Sequence, residues 1–185
     1  MGNNEVADYD QRRATDQSVV SVQDGEVMDE RQLLEALLLP SANNIAVVLA
    51  VHEAGSVDAF AHRMNDAAPA LGMDHTTYTD PSGFDEGTVS TAPDQLRLVR
   101  AALREAAFAD IVQLPSTSLP VVGEVENTNP SLARLGVVDA AFALPAFLRH
   151  GSPPHRASDS DAVCGQAAEQ AVDNTDRLLS RRGFE

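Results

Sequence analysis

The chain has 185 residues, 43% of them hydrophobic, and its 28 acidic residues against 13 basic ones give a formal net charge of −15. This acidity disfavours nucleic acid and anionic membrane surfaces as partners, because both need clustered positive charge. Abundant alanine, few aromatic residues (4%) and no tryptophan predict one α-rich domain with a lightly packed core.

The first predicted elements follow a polar beginning. Residues 1–26 are polar apart from a short apolar run at 19–22, which favours a strand. Asp29, with Gln32 three residues further on, forms a capping-box pattern that predicts the start of a helix. Leucines on one face continue this helix, and Pro40 ends it.

Two further helices are predicted before residue 73. The first ends near residue 55 and carries His52 on an apolar face, where we expect a packed core residue and not a metal ligand. Ser56 suits the N-cap of the second, whose apolar spacing continues to Leu71. Pro69 lies late in this pattern, and it predicts that the helix kinks or ends before that position.

The pattern then becomes less helical. Residues 73–89 predict an extended stretch with turns. A helix capped by Ser90 or Thr91 follows, and a shorter helical piece continues through Val112. Residues 119–125 predict a strand or one arm of a hairpin.

The composition changes again near residue 149. Pro, Ser, Asp and Gly dominate residues 150–161, which predicts a flexible linker, and residues 162–185 offer few large apolar side chains. We therefore expect a domain over residues 1–149, followed by a linker and a weakly structured tail over residues 150–185.

The sequence gives no targeting or cofactor signal. The first residues lack the basic start and apolar stretch of a signal peptide. The longest apolar run, 136–148, is shorter than the roughly 20 residues of a membrane span. The single cysteine, Cys164, cannot form a disulfide within the chain. The five histidines show no metal-binding spacing, so neither a metal nor another cofactor is predicted.

One segment carries a recognisable chemical pattern. Residues 37–44, Leu-Leu-Leu-Pro-Ser-Ala-Asn-Asn, place a Ser-x-Asn triplet at the end of an apolar helix. Three more motifs follow it, namely Asp80-Pro81-Ser82-Gly83, Ser90-Thr91-Ala92-x-Asp94 and Asn127-Thr128-Asn129. From about Val19 to Leu132, their order and spacing resemble the low-molecular-mass D-alanyl-D-alanine carboxypeptidases of the penicillin-binding and β-lactamase group.

The resemblance implies a fold. In this family a largely helical part lies beside an antiparallel sheet built from the two ends of the chain. The present sequence keeps the helical part and lacks most of the sheet. We therefore expect a mainly α structure, the helical subdomain of a D-Ala-D-Ala-peptidase and β-lactamase-like α+β fold, with one or two short strands.

The resemblance also implies a chemistry. The family is extracytoplasmic and trims the terminal D-Ala from peptidoglycan stem peptides through an acyl-enzyme, formed by a Ser-x-x-Lys serine that penicillins also acylate. By match to the Ser-x-Asn signature, Ser41 would relay a proton to the leaving amine and Asn43 would bind the amide of the stem peptide. A Lys-Thr-Gly strand binds the substrate carboxylate in the family.

The chain contains no lysine, so neither Ser-x-x-Lys nor Lys-Thr-Gly occurs in it. Arginine cannot replace the base, because its guanidinium stays protonated. We therefore expect this polypeptide to be inactive. Three alternatives remain open: a working enzyme whose missing parts are lost from a truncated or mis-called reading frame, a non-catalytic module that binds peptidoglycan peptides, and a gene relic. The abrupt end of the resemblance near residues 132–138 favours a frameshift or truncation there.

Overall fold

The computed structural model describes residues 1–128, and helices dominate this part of the chain. The elements are α1 (Asn3–Arg13), α2 (Glu30–Leu38), α3 (Asn43–Ala54), α4 (Val57–Ala70), α5 (Ala92–Ala102), α6 (Ala106–Val112), β1 (Ser116–Leu119) and β2 (Gly123–Glu126). The two strands pair antiparallel as a hairpin. The mainly α prediction is confirmed, as is the prediction of one or two short strands. The single strand or hairpin arm expected at 119–125 is instead the last residue of β1, a turn at residues 120–122 and most of β2.

The polar beginning of the chain forms a helix that the sequence pattern did not predict. The backbone N–H of Gly2 donates to Glu5 Oε2 at 2.8 Å and caps α1, and Arg12 pairs with Asp8 one turn earlier on the same face. The apolar run at 19–22 belongs to no strand. Its backbone bonds to a side chain of α3 instead of a neighbouring strand, so the strand prediction is wrong.

The main core lies where α2, α3, the hairpin and the 19–22 segment meet. Ile45 and Ala42 at the start of α3 are fully buried against Val20 and Val22. Leu119 and Val125 of the hairpin close the same cluster. Alanines at 36 and 42 belong to this cluster, and no buried aromatic residue among residues 1–128 does, as the aromatic-poor composition predicts.

The predicted caps of α2, α4 and α5 are confirmed. Asp29 accepts from the Gln32 backbone at 2.8 Å, and the Asp29 backbone donates to the Gln32 side chain at 2.9 Å. Ser56 caps α4 by accepting from the backbone of Ala59, and Thr91 caps α5. These signals act within four residues, so they are readable from sequence alone.

The expectation that His52 is a packed core residue is wrong, and so is the expectation that α4 could end before Pro69. The His52 side chain is 77% exposed, because only the first turns of α3 and Ala50 face the core and the last turn leaves it. Pro69 lies inside α4, which ends one residue later at Ala70. A proline so near the end removes one backbone hydrogen bond where the helix is about to stop, so the helix has no need to end before it.

A buried aspartate joins the irregular 73–89 stretch to α5. Asp94 is fully buried, and its carboxylate accepts from the His75 backbone at 2.9 Å and from Thr76 Oγ1 at 2.9 Å. Arg97 Nη1 donates to the other carboxylate oxygen at 2.7 Å. Burial opposes ionisation of this carboxyl, but the hydrogen bonds and the nearby Arg97 charge outweigh it and hold the pKa of Asp94 below its usual range.

This lowered pKa predicts acid sensitivity. Because the folded-state pKa lies below the unfolded value of about 3.9, the stability that ionised Asp94 contributes is complete above that value and is lost as pH falls through the folded pKa. In urea titrations between pH 6 and 2, Asp94→Asn should lower stability near neutrality and flatten its decline in acid. Asp66→Asn is the control, because Asp66 is exposed. If the free energy of unfolding of Asp94→Asn fell with pH as steeply as that of the unaltered chain, Asp94 would not be the cause of the acid sensitivity.

The hairpin and the residues after it are tied to α2. Thr117 of β1 donates to the buried Glu35 of α2 at 2.7 Å. Both the backbone N–H and the hydroxyl of Thr128 donate to the carbonyl of Leu39 at 3.0 Å. The Asn127 side chain bonds the carbonyls of Val112 and Leu114. These bonds hold Thr128 at the end of α2 and Asn127 at the end of α6.

The remaining expectations concern the domain division and membrane-spanning helices. The predicted division into residues 1–149 and 150–185 lies outside the described residues, and so does Cys164. Within residues 1–128, no single helix has the length and apolar character to cross a membrane. Only α3 and α4 taken together meet that test, and they are bent at 83° to each other.

Candidate functional site

Ser41 lies in the short connection between α2 and α3 and has a left-handed backbone, with φ of 60°. A serine in this conformation is strained, at a cost on the order of 1–2 kcal/mol, and persists only where its surroundings fix it. Thr128 fixes the preceding Leu39 carbonyl. On the other side, the backbone N–H of Asn43 donates to the Ser18 carbonyl at 2.8 Å. The turn that presents Ser41 is therefore clamped from both ends.

Asn43 opens α3, and its side chain is only 6% exposed. Its Nδ2 donates to Oε1 of Gln17 at 3.0 Å. The structure thus places both predicted site residues, Ser41 and Asn43, two residues apart at one helix start, as the sequence motif requires. Their chemical roles stay predictions.

Asn44 supports the site and was missed by sequence reasoning. It is 1% exposed, its Oδ1 accepts from the Val20 N–H at 3.0 Å, and its Nδ2 donates to the Val20 carbonyl at 2.9 Å. One side chain therefore pairs with both backbone groups of a buried residue 24 positions earlier. The only available signal was a second asparagine at a buried helix start, which does not reveal its partner.

The remaining motif residues build their own networks and form no hydrogen bond to Ser41 or Asn43 within residues 1–128. Asp80 accepts from the backbones of Ser82, Gly83 and Phe84 and so holds a tight turn. The Thr88 hydroxyl also donates to Asp80 at 2.7 Å.

The described residues supply no activating partner for the Ser41 hydroxyl. Among residues 1–128 no side chain hydrogen-bonds Ser41, and no three His, Cys, Asp or Glu side chains are grouped to hold a metal ion. A serine hydroxyl without an adjacent base is a weak nucleophile at neutral pH. The arrangement can orient a hydroxyl and a carboxamide, both of which donate and accept hydrogen bonds.

A model of the D-alanyl-D-alanine carboxypeptidase family matches residues 3–133 of the chain. The chain belongs to this family. Over 104 residues it is 40% identical to the D-alanyl-D-alanine carboxypeptidase DacB2 of Mycobacterium tuberculosis, covering 55% of this chain and 35% of that protein. It is also 40% identical over 78 residues to a D-alanyl-D-alanine endopeptidase of Pseudomonas aeruginosa, covering 42% of this chain and 25% of that protein.

Solved structures of D-alanyl-D-alanine carboxypeptidases share the fold of this chain. The structure of such an enzyme from Mycobacterium tuberculosis matches with a TM-score of 0.59 at 34% identity, over 65% of this chain and 47% of that one. The chain therefore spans between a quarter and a half of the length of these carboxypeptidase and endopeptidase relatives. The family and the fold class predicted from sequence are both confirmed.

Proposed function

We propose that this chain supplies the Ser-x-Asn part of a D-Ala-D-Ala peptidase site, and that the 185-residue polypeptide alone does not catalyse. In this proposal Ser41 relays a proton toward the leaving amine and Asn43 binds the amide of a peptidoglycan stem peptide. The observation that carries it is the clamped turn at residues 41–43. Ser41 is held there in a strained left-handed conformation, two residues before the buried carboxamide of Asn43.

The chemistry of the two residues fits these roles. The Ser41 hydroxyl can accept one hydrogen bond while donating another, as a proton relay must. It is no nucleophile here, since activation needs an adjacent base and the chain has no lysine. The base and the carboxylate-binding strand would have to come from outside these residues.

A second candidate is a peptide-binding module without catalysis. The same clamped turn favours it, because the backbone around Asn43 is held in place, whereas no side chain within residues 1–128 activates the Ser41 hydroxyl. Both candidates require that a peptide ending in D-Ala-D-Ala bind at Asn43, so that binding is tested first.

Truncating Asn43 should weaken peptide binding. We expect Asn43→Ala to raise the Kd for an N-acylated tripeptide ending in D-Ala-D-Ala by roughly 3- to 10-fold, the usual range for one neutral hydrogen bond. Isothermal titration calorimetry gives the Kd, with the same tripeptide ending in L-Ala-L-Ala as the ligand control.

Asn4→Ala serves as the matched protein control, because Asn4 is an exposed asparagine on α1. Its Kd should equal that of the unaltered chain. The proposal fails if Asn43→Ala, shown by circular dichroism to be folded, binds the D-Ala-D-Ala peptide as well as Asn4→Ala does. It also fails if the unaltered chain does not distinguish the D- from the L-peptide.

A further inference from the structure

A chain of hydrogen bonds from α1 ends at the proposed amide-binding residue. Asp8 binds Nε of Arg12 at 2.7 Å, and Nη1 of Arg12 donates to Oε1 of Gln17 at 3.0 Å. The same Gln17 oxygen accepts from Nδ2 of Asn43 at 3.0 Å. Nε2 of Gln17 donates to the hydroxyl of Thr15 at 3.1 Å. Residues 8–17 thus place a carboxamide of the chain itself on Asn43.

The orientation of both carboxamides follows from Arg12. A guanidinium only donates hydrogen bonds, so the Gln17 atom facing it must be the oxygen. The Asn43 atom facing that oxygen must then be the nitrogen. A carboxamide oxygen is the same kind of acceptor as the carbonyl of a peptide bond. Asn43 therefore already donates to an amide carbonyl, and that carbonyl belongs to Gln17.

Two features allow this contact to open. Gln17 is only half-buried, whereas Asn43 has 6% of its surface exposed and its Nδ2 already donates to Gln17. Asp16, the residue before Gln17, has a left-handed backbone with φ of 56°. The left-handed residue thus lies directly before the side chain that has to move. Outward movement of Gln17 would return its carboxamide to water, where its hydrogen bonds are replaced.

We infer that Gln17 is an internal competitor of the peptide at Asn43, so that the turn after α1 closes the amide-binding corner until a peptide displaces it. This inference rests on the proposed role of Asn43 and adds that Gln17 occupies Asn43 when no peptide is bound. Arg12, through its pair with Asp8, strengthens the competitor by fixing the Gln17 oxygen in place.

Removing the competitor should tighten binding. We expect Gln17→Ala to lower the Kd for the D-Ala-D-Ala tripeptide roughly fivefold, the effect of one competing hydrogen bond. Gln17→Met, which keeps the length of the side chain without its amide, should do the same if Gln17→Ala unfolds. Gln11→Ala is the matched control, because Gln11 is an exposed glutamine on α1. Calorimetry measures each Kd.

A spectroscopic readout reports the displacement directly. In the unaltered chain labelled with ¹⁵N, the side-chain amide signals of Gln17 should move to solvent-like positions as the peptide saturates, while those of Gln11 stay unchanged. The competitor role of Gln17 would be overturned if Gln17→Ala and Gln17→Met bound the peptide no more tightly than the unaltered chain while Asn43→Ala bound it more weakly. The proposed function would then still stand. Binding that is insensitive to Asn43→Ala, or no binding by any variant, would overturn the proposed function itself.

Discussion

Incubation of the 185-residue chain with a labelled penicillin is expected to leave its intact mass unchanged. Acylation requires a serine whose proton is removed by a neighbouring base, and the chain has no lysine to act as that base. Ser41, the serine at the proposed site, has no hydrogen-bonded side chain within the described residues. The rate of hydrolysis of a D-Ala-D-Ala peptide, measured as release of D-Ala, should likewise equal the rate in buffer alone.

Mass spectrometry of the intact protein after hours of incubation checks this prediction, with a full-length family member as the positive control. The variant Ser41→Ala should behave like the unaltered chain. A stoichiometric adduct would contradict the inactive assignment, and its loss in Ser41→Ala would identify Ser41 as a nucleophile in place of a proton relay. An adduct retained in that variant would point to another serine.

A stable chain that binds peptide without reacting would favour the binding-module alternative over a relic. A chain that neither binds nor folds would favour the relic. The coding sequence after residue 129 separates the remaining case, because a Lys-Thr-Gly in another forward frame within about thirty codons would support a frameshifted enzyme.

The sequence was most informative where the causes of structure are local. Capping by Asp29, Ser56 and Thr91 depends on backbone groups two or three residues away, so each helix start could be predicted. Helix α1 was missed because it is polar and lacks an apolar stripe, and its order depends on Gly2 capping and on packing against α3. The exposure of His52 depends on where α3 leaves the core, which periodicity does not specify.

The candidate site shows the same difference between local and long-range causes. Ser41 and Asn43 were predicted as site residues because their family motif is short and contiguous. Gln17 and Asn44 were not found, because their bonds to Asn43 and to Val20 join positions 24 or more residues apart. No short pattern encodes which polar groups meet across such a distance. The residues that fix the site and cover it are therefore visible only in the folded chain.

Replacement of Asn44 by alanine is expected to produce a large loss of stability. The Asn44 side chain satisfies both the N–H and the carbonyl of Val20, which is 3% exposed. Alanine leaves both backbone groups buried and unpaired, at about 1–3 kcal/mol each, so the free energy of unfolding should fall by roughly 2–6 kcal/mol. A surface asparagine replaced in the same way, Asn4→Ala, should change it by less than about 0.5 kcal/mol.

Urea unfolding followed by circular dichroism measures both variants. If Asn44→Ala is too unstable to study, Asn44→Asp keeps an acceptor for the Val20 N–H but sets a carboxylate against the Val20 carbonyl. Its stability should therefore rise as acid protonates that carboxyl and restores a donor, the reverse of the trend expected from Asp94. A loss in Asn44→Ala no larger than in Asn4→Ala would mean that the 19–22 segment is not held by this side chain. The clamp behind Asn43 would then reduce to the single bond between its backbone and Ser18.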